Sequence, residues 1–321
     1  MGGRILISGY VSMDRMIKID GAARVGHTSM VTNKTNARLY PGGCPMNIGA
    51  ALNRLGIQAV PIIRVGSDYR ELQIPEFMRD YRIPTDCLCV IEEELTSRCY
   101  LIQDQEKNHI TLFYDGAMNG RYSQKLPDDW FEGASMGILT VGSLEDNKEF
   151  LEACRRHHLP LVFGMKGDAR AFPKEFLRQV LTEAELIFVN EEESRMLEES
   201  FDCDMDSLIQ TQKAKAVIIT MGRAGSVCRY RTGQRVERIT VPSIPAEGEI
   251  DTAGAGDAYL SGFVYGYLQG FDWAMCCRTA AVEAWMVLQE EGCCTNLPDE
   301  DRLWSELLKQ DSMNGRRETK R

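Results

Sequence analysis

DTAGAGDAYLSGF, residues 251–263, decides how this chain is read. Gly254 and Gly256 flank one alanine, the acid Asp257 follows at once, and the segment AYLSGFVYGYL beyond it is apolar almost all the way round. Glycine lets backbone N–H groups approach a ligand with no side chain in the way. A helix N-terminus adds unpaired donors and the positive end of the helix dipole. Ala253, Gly254, Ala255 and Gly256 supply bare backbone and Thr252 a hydroxyl, so the stretch reads as an anion hole of phosphate size at a helix mouth. An acid is repulsive in a site that only holds an anion. It makes sense if Asp257 takes a proton from a substrate hydroxyl beside the phosphate. The plainer reading is that Asp257 caps the helix and the glycines turn the chain. The apolar helix behind it favours the ligand, because a buried helix mouth has donors to satisfy.

Composition narrows the partners. The chain has 321 residues, 44% hydrophobic and 26% charged, with a net charge of −10. That is enough to bury a large core in one sizeable domain. Such a surface repels phosphate backbones and anionic lipid headgroups, so neither nucleic acid nor membrane is expected as a partner. No apolar run approaches the ~20 residues of a membrane helix, and MGGRILISGYVSMD reads as a strand rather than a signal peptide. A cytoplasmic location follows as the expectation, with the eleven cysteines as reduced thiols. The doublets Cys276-Cys277 and Cys293-Cys294 leave a four-cysteine metal site open in principle, but none of the spacings is a paired CxxC, and buried thiols are the simpler reading.

Along the chain, strands are expected at 4–9, 59–65 and 215–220 and in the runs MGILTV, LPLVFG and AELIFVN. Helices are expected at 44–55, 70–80, 147–157, 173–182, 191–199, 254–269, 272–289 and 299–309. Short apolar strands alternating with helices predict an α/β fold with a mostly parallel central sheet covered on both faces. Two segments fall outside the alternation. SRCYLIQDQEKNHITLFY, residues 97–114, carries a hairpin signal at DQEKN, and residues 11–40 are rich in β-formers. A small sheet covering a cleft is their natural use. A second hairpin is expected near 226–239, turning at Thr232-Gly233, and the polar tail 311–321 reads as disordered. The one domain then spans 1–310, with its small β-sheet lid drawn from about 11–40 and 95–118.

Two other phosphate-binding classes are excluded by pattern. GxxxxGK[ST] is absent, and the first strand runs into SGYVSMD rather than a glycine-rich turn, which argues against a P-loop and against a dinucleotide fold.

DTAGAGDAYLSGF closely resembles the C-terminal signature of the PfkB/ribokinase family of sugar and nucleoside kinases. PGGCPMNIGAALNRLG, residues 41–56, resembles that family's N-terminal signature. VNEEESRML, residues 189–197, matches its NxxE element, and TMGRAGSV, residues 220–227, its nucleotide-side glycine turn. The four motifs stand in the family's order across most of the chain. The resemblance implies a ribokinase-like three-layer α/β/α sandwich and an ATP-dependent kinase. Asp257 is then the catalytic base, and Gly254, Ala255 and Gly256 the anion hole for the transferring phosphate. Asn190, Thr220, Gly222, Gly225 and Thr252 lie on the ATP side, and Glu193 organises Mg2+ through water. Asp14, Gly42, Gly43 and Asn47 hold the acceptor's hydroxyls, and Asp251 matches the family's monovalent-cation (K+) position. Each has a plainer reading: Asp14 as a turn residue, Glu193 as an acid at a helix start, Gly222 and Gly225 as an ordinary turn. RTAAVEAWMVLQEEGCCTNLP departs from the family's adenine-side helix at Glu283 and Trp285.

The reaction expected is transfer of the γ-phosphate of ATP to a primary hydroxyl. A small sugar ranks first as acceptor and a nucleoside second. HITLFYDGAM, residues 109–118, looks like the lid hairpin of nucleoside-kinase members, where Phe113 and Tyr114 either stack on a base or pack the lid onto the core. A non-catalytic ligand sensor ranks last, because Asp257 is present with its anion hole. The exposed lid edge makes a homodimer the expected assembly.

Overall fold

The computed structural model describes residues 3–106, 108–245 and 252–318. Its first half runs β1 (Arg4–Ser8), β2 (Ser12–Lys18), β3 (Tyr40–Gly42), α1 (Cys44–Arg54), β4 (Ala59–Gly66), α2 (Ile74–Asp80), β5 (Leu88–Ile91), β6 (Arg98–Gln103) and β7 (His109–Tyr114). There follow β8 (Ala134–Leu139), α3 (Leu144–Arg156), β9 (Leu161–Gly164), α4 (Lys174–Glu183), β10 (Ala184–Asn190), α5 (Glu191–Phe201) and α6 (Met205–Thr211). The last third holds β11 (Ala216–Thr220), β12 (Ser226–Thr232), β13 (Arg235–Val241), α7 (Ala255–Leu268), α8 (Trp273–Val287) and α9 (Glu300–Glu318).

Among the described residues, nine strands form one sheet in the order β13-β12-β11-β10-β9-β8-β1-β4-β5. From β11 to β5 every pairing is parallel; β12 and β13 close one edge as an antiparallel hairpin. Successive side chains of a strand face opposite ways, and both faces are buried. Ile5 and Ile7 of β1, Leu186 and Phe188 of β10, and Ala216 and Ile218 of β11 join one core, under α1, α7, α8 and α9. Leu6, Ile187, Val189, Val217 and Ile219 join the other, under α3 to α6. The three-layer sandwich thus comes from apolar strands too hydrophobic to leave a face in water.

Helix ends follow local chemistry. Ser143 caps α3, accepting from Asp146 N–H at 3.1 Å, which starts that helix earlier than the apolar period suggests. Pro75 in the first turn of α2 sets its start at Ile74 rather than 70. Two elements have no counterpart in the sequence reading: β5, four residues without alternation, and α6, a short helix behind an Asp204 cap. The last helix passes the 309 expected for it and continues to Glu318, into the segment read as a disordered tail. LLKQDSMNGRRE has no proline to break it.

The segments outside the alternation form a separate sheet, β3-β2-β6-β7, with β2 and β6 parallel. Hydrogen bonds at their entry ends hold β2 and β6 together, and an ion pair ties β6 to the loop after β4. Met13 N–H donates to Ser97 O at 2.9 Å, and Ser97 Oγ donates to Val11 O. Arg98 of β6 pairs with Asp68, past the end of β4, at 2.7 Å. The small sheet therefore stands over the C-terminal ends of the parallel strands, where open α/β sheets place their ligands.

Candidate active site

Four adjacent parallel strands end at one place. Thr140 follows β8, Lys166 follows β9, Asn190 closes β10 and Thr220 closes β11. With Gly256 and Asp257 they line a cavity of about 130 Å³. A wider surface trough of about 540 Å³ runs along α3 from Gly120 to Gln179, but no comparable set of groups converges there.

The helix mouth is built as the sequence predicts. Gly254 is the N-cap of α7 with φ +76°, and no side chain caps the helix there. A Cβ on Gly254 would stand 2.7 Å from Cys293 Cβ, so only glycine fits. At Gly256 the same construction meets nothing nearer than Lys166 Nζ at 3.9 Å, so the space beside its Cα is open up to that ammonium. Thr252 is exposed at the entrance, its carbonyl accepting from Ala255 N–H at 3.4 Å. Asp251 lies outside the described residues.

Asp257 is the third residue of α7 and is buried. Asn47 Nδ2 donates to its Oδ2 at 2.8 Å, and Cys294 Sγ donates to Asn47 Oδ1 at 3.5 Å. Sequence reading assigned Asn47 to the acceptor's hydroxyls; in the structure one of its two amide N–H groups orients Asp257. A buried amide needs partners, and these are the ones it finds. The Cys44 thiol stands on the same carboxylate, and burial first, then Asp257, pushes it well above its ordinary range. Cys44 is therefore no nucleophile. Lys166 Nζ lies 3.9 Å from Asp257 Oδ1, and the Asp257 charge, then Cys44, holds the ammonium above the usual lysine range. Lys166 was not singled out from sequence, and Cys294 only as half of a cysteine doublet. The usable signal for Lys166 was position: it follows the apolar run LVFGM directly, at the end of a parallel strand.

Across the cleft, Asp14 of β2 lies opposite β3. Ser12 Oγ donates to Asp14 Oδ1 at 2.5 Å. Burial raises the Asp14 carboxyl to about 6, the Ser12 hydrogen bond pulling it down and facing Asp257 pushing it up. Gly42 is glycine because a Cβ there would stand 2.2 Å from Asp14 Oδ2. Gly43, at φ +87°, packs against the Tyr10 carbonyl. Asp14 is thus no turn residue: it sits in a strand, and Gly42 clears the space beside its carboxylate.

On the far side, Asn190 and Glu193 form a reciprocal capping box on α5, each side chain accepting from the other's N–H at 2.8 Å. Burial raises the Glu193 carboxyl, the Asn190 amide and then the Lys166 charge acting against it. The helix-start reading of Glu193 is realised, and the same residue lines the cavity. Thr220 donates to Val189 O at 3.4 Å while lining the cavity. Gly222 (φ +53°) and Gly225 (φ +94°) shape an exposed turn; a Cβ on Gly225 would stand 2.1 Å from Val241 O.

Phe113 rests on Tyr10, ring centroids 4.9 Å apart, and Tyr114 Oη donates to Glu94 at 3.0 Å. Both rings keep about two-fifths of their surface exposed. Glu283 of α8 is fully buried, and neither carboxylate oxygen has a hydrogen-bond partner. Burial pushes it well above the usual carboxylate range. Trp285 donates to Pro245 O at 3.1 Å. All eleven cysteines are free thiols, and among the described residues no group of three His, Cys, Asp or Glu could hold a metal. No helix among them is long and apolar enough to cross a membrane.

Comparison with known proteins matches residues 6–300 to the pfkB family carbohydrate kinase model. A nucleoside kinase of Methanocaldococcus jannaschii is 27% identical over 312 residues, covering 96% of this chain and 99% of that one. The crystal structure of the nucleoside kinase from that organism superposes with a TM-score of 0.85 at 25% identity, over 96% of this chain and all 100% of the other. The Burkholderia thailandensis nucleoside kinase in complex with inosine gives a TM-score of 0.84 at 24% identity, covering 94% and 97%.

Proposed function

The chain belongs to the pfkB family of carbohydrate kinases, and we propose that it transfers the γ-phosphate of ATP to the primary hydroxyl of a nucleoside. The observation that carries the kinase chemistry is one carboxylate, Asp257, buried beside uncapped helix amides and facing a second, Asp14. The acceptor hydroxyl lies between the two acids. Asp14 accepts from a hydroxyl of the acceptor, Asp257 takes the proton of the attacking one, and the amides of Gly254, Ala255 and Gly256 receive the phosphoryl oxygens. Asn47 holds the Asp257 carboxylate in its rotamer.

For the acceptor, the relatives place a nucleoside ahead of the small sugar ranked first from sequence. The structure supports this with the half-exposed Tyr10–Phe113 pair where lid meets core. An amphipathic aromatic pair at the rim offers a base its face. A free pentose is the second reading, since it presents the same hydroxyls to Asp14 and Asp257. The nucleotide lies along Asn190, Thr220 and the Gly222–Gly225 turn, with Thr252 at the entrance. Magnesium suits this site if held through water and the phosphates: it keeps much of its hydration, and Glu193 is the nearby carboxylate. It would supply charge neutralisation at the phosphates. Location in the reducing cytoplasm fits eleven free thiols. The edge strand β7, with Ile110 and Leu112 exposed, pairs with a second copy, which light scattering tests.

The deciding experiment is ADP release with magnesium across a panel of nucleosides and sugars, with and without potassium. Stimulation by purine nucleosides at micromolar concentration supports the proposal. Stimulation by free sugars alone replaces the nucleoside with the pentose. A panel without response sinks both acceptors.

A further inference from the structure

Lys166 is the charged group of the cavity that none of the sequence motifs uses. It leaves the end of β9 one residue after Met165, whose N–H bonds Phe188 O at 2.9 Å. The loop behind it is closed: Asp168 N–H donates to the Lys166 carbonyl at 2.7 Å, and the Asp168 carboxylate accepts from the N–H groups of Arg170 and Ala171 at 2.8 and 3.3 Å. The backbone is fixed and the side chain is free to reach. Its Nζ is 3.9 Å from Asp257 Oδ1, an ion-pair distance too long for a hydrogen bond, and it is the nearest heavy atom to where a Gly256 side chain would stand. Among the described residues lining this cavity it is the one cation.

We propose that Lys166 is a catalytic residue, its ammonium binding the transferring phosphoryl group between the Asp257 carboxylate and the Gly256 amide. This rests on the reading of Asp257 as base. In the step, the acceptor oxygen forms its bond to the γ-phosphorus while the bond from that phosphorus to the β-bridging oxygen breaks. ADP leaves with that electron pair, and the acceptor's proton passes to Asp257. Lys166 keeps its own protons and donates hydrogen bonds. As Asp257 gains the proton its charge is lost, so the ammonium's counter-ion disappears while charge is passing through the phosphoryl oxygens. The interaction is therefore stronger in the transition state than in the resting enzyme, which is what accelerates a chemical step. An ion pair that only stiffened the fold would be closer than 3.9 Å and less exposed than this lysine, whose side chain keeps 45% of its surface.

The test compares wild type, Lys166→Met and Lys166→Arg in turnover, and in binding of ADP with and without aluminium fluoride, which mimics the transferring phosphoryl group. The Met variant is expected to lose about 10²–10³-fold in kcat. Its acceptor KM should stay within threefold and its melting temperature unchanged; it should bind ADP normally and the ADP–aluminium fluoride mimic at least tenfold more weakly. Arg should recover part of both losses. A Met variant with wild-type kcat and wild-type mimic binding overturns the proposal and leaves the acceptor reading intact. Wild type that binds the mimic through Lys166 but phosphorylates no nucleoside overturns the acceptor reading and leaves Lys166 standing. Wild type that does not bind the mimic overturns the Lys166 proposal, and turnover with nucleosides still decides the acceptor.

Discussion

Two glycine turns lie beyond the C-terminal edge of the parallel sheet, and they are alike in sequence and unlike in surroundings. At Gly254 and at Gly225 the backbone takes a positive φ, and in both a Cβ would collide, with Cys293 in one and with the Val241 carbonyl in the other. Glycine is forced at each for packing alone. What differs is what converges beyond the turn. Past Gly254 lie a buried helix mouth without a cap and, around it, Asp257, Asn47 and Lys166. Past Gly225 lies an edge hairpin, next to the exposed Gly222, Arg223 and Ala224. A glycine thus marks a constraint on the backbone. Function is marked by the titratable and donor groups the constraint brings together.

Three substitutions press on that contrast. Asp257→Asn should leave folding intact and cost about 10²–10⁴-fold in kcat, read in a coupled ADP assay. A variant within tenfold of wild type would remove Asp257 as the base. Gly254→Ala comes next: the clash with Cys293 must displace the helix mouth, so kcat should fall about a hundredfold together with a lower melting temperature. Gly225→Ala should lower the melting temperature as much, yet leave kcat of the folded enzyme within a few-fold. Equal kcat losses at both positions would erase the distinction drawn here.

The acid cleft supplies the third prediction, through pH. The Asp14 carboxyl is raised to about 6, so below that pH it protonates and ceases to be a pure acceptor. Acceptor KM should rise about tenfold by pH 5, and Asp14→Asn should flatten that limb. A KM constant from pH 7 to 5 removes Asp14 from the acceptor site.

The smallest effect is expected behind the catalytic helix. Glu283 is raised in the folded state, so its contribution is most favourable at low pH and is lost as pH rises. Glu283→Met should raise the melting temperature by a few degrees at pH 8 and by less at pH 5, with kcat unchanged. A fall at pH 8 would mean the acid has a stabilising partner.

Much of this was legible in the sequence because it was local. The apolar runs of β1, β10 and β11 needed only the rule that strands buried on both faces are continuously hydrophobic. The α7 mouth, with its glycines and acid, is a contiguous stretch whose conformational demands can be read residue by residue. β5 and α6 were not legible, being short segments with weak periodicity that packing completes. Trp285 and Glu283 stood out as unusual, but only the structure shows that one finds a carbonyl on the 245 side and the other finds nothing.

The sequence by itself determined most of the strands and helices, the mostly parallel sheet, and the paired glycines with an acid at the start of α7. Those follow from periodicity and backbone sterics, which act within a few residues. Tertiary structure alone decided that Asn47 serves Asp257, that Cys294 serves Asn47, and that Lys166 faces the same carboxylate from β9. These pairs are joined across 210, 247 and 91 positions of chain, and no local pattern encodes a contact that exists only when parallel strands end at one edge of a sheet.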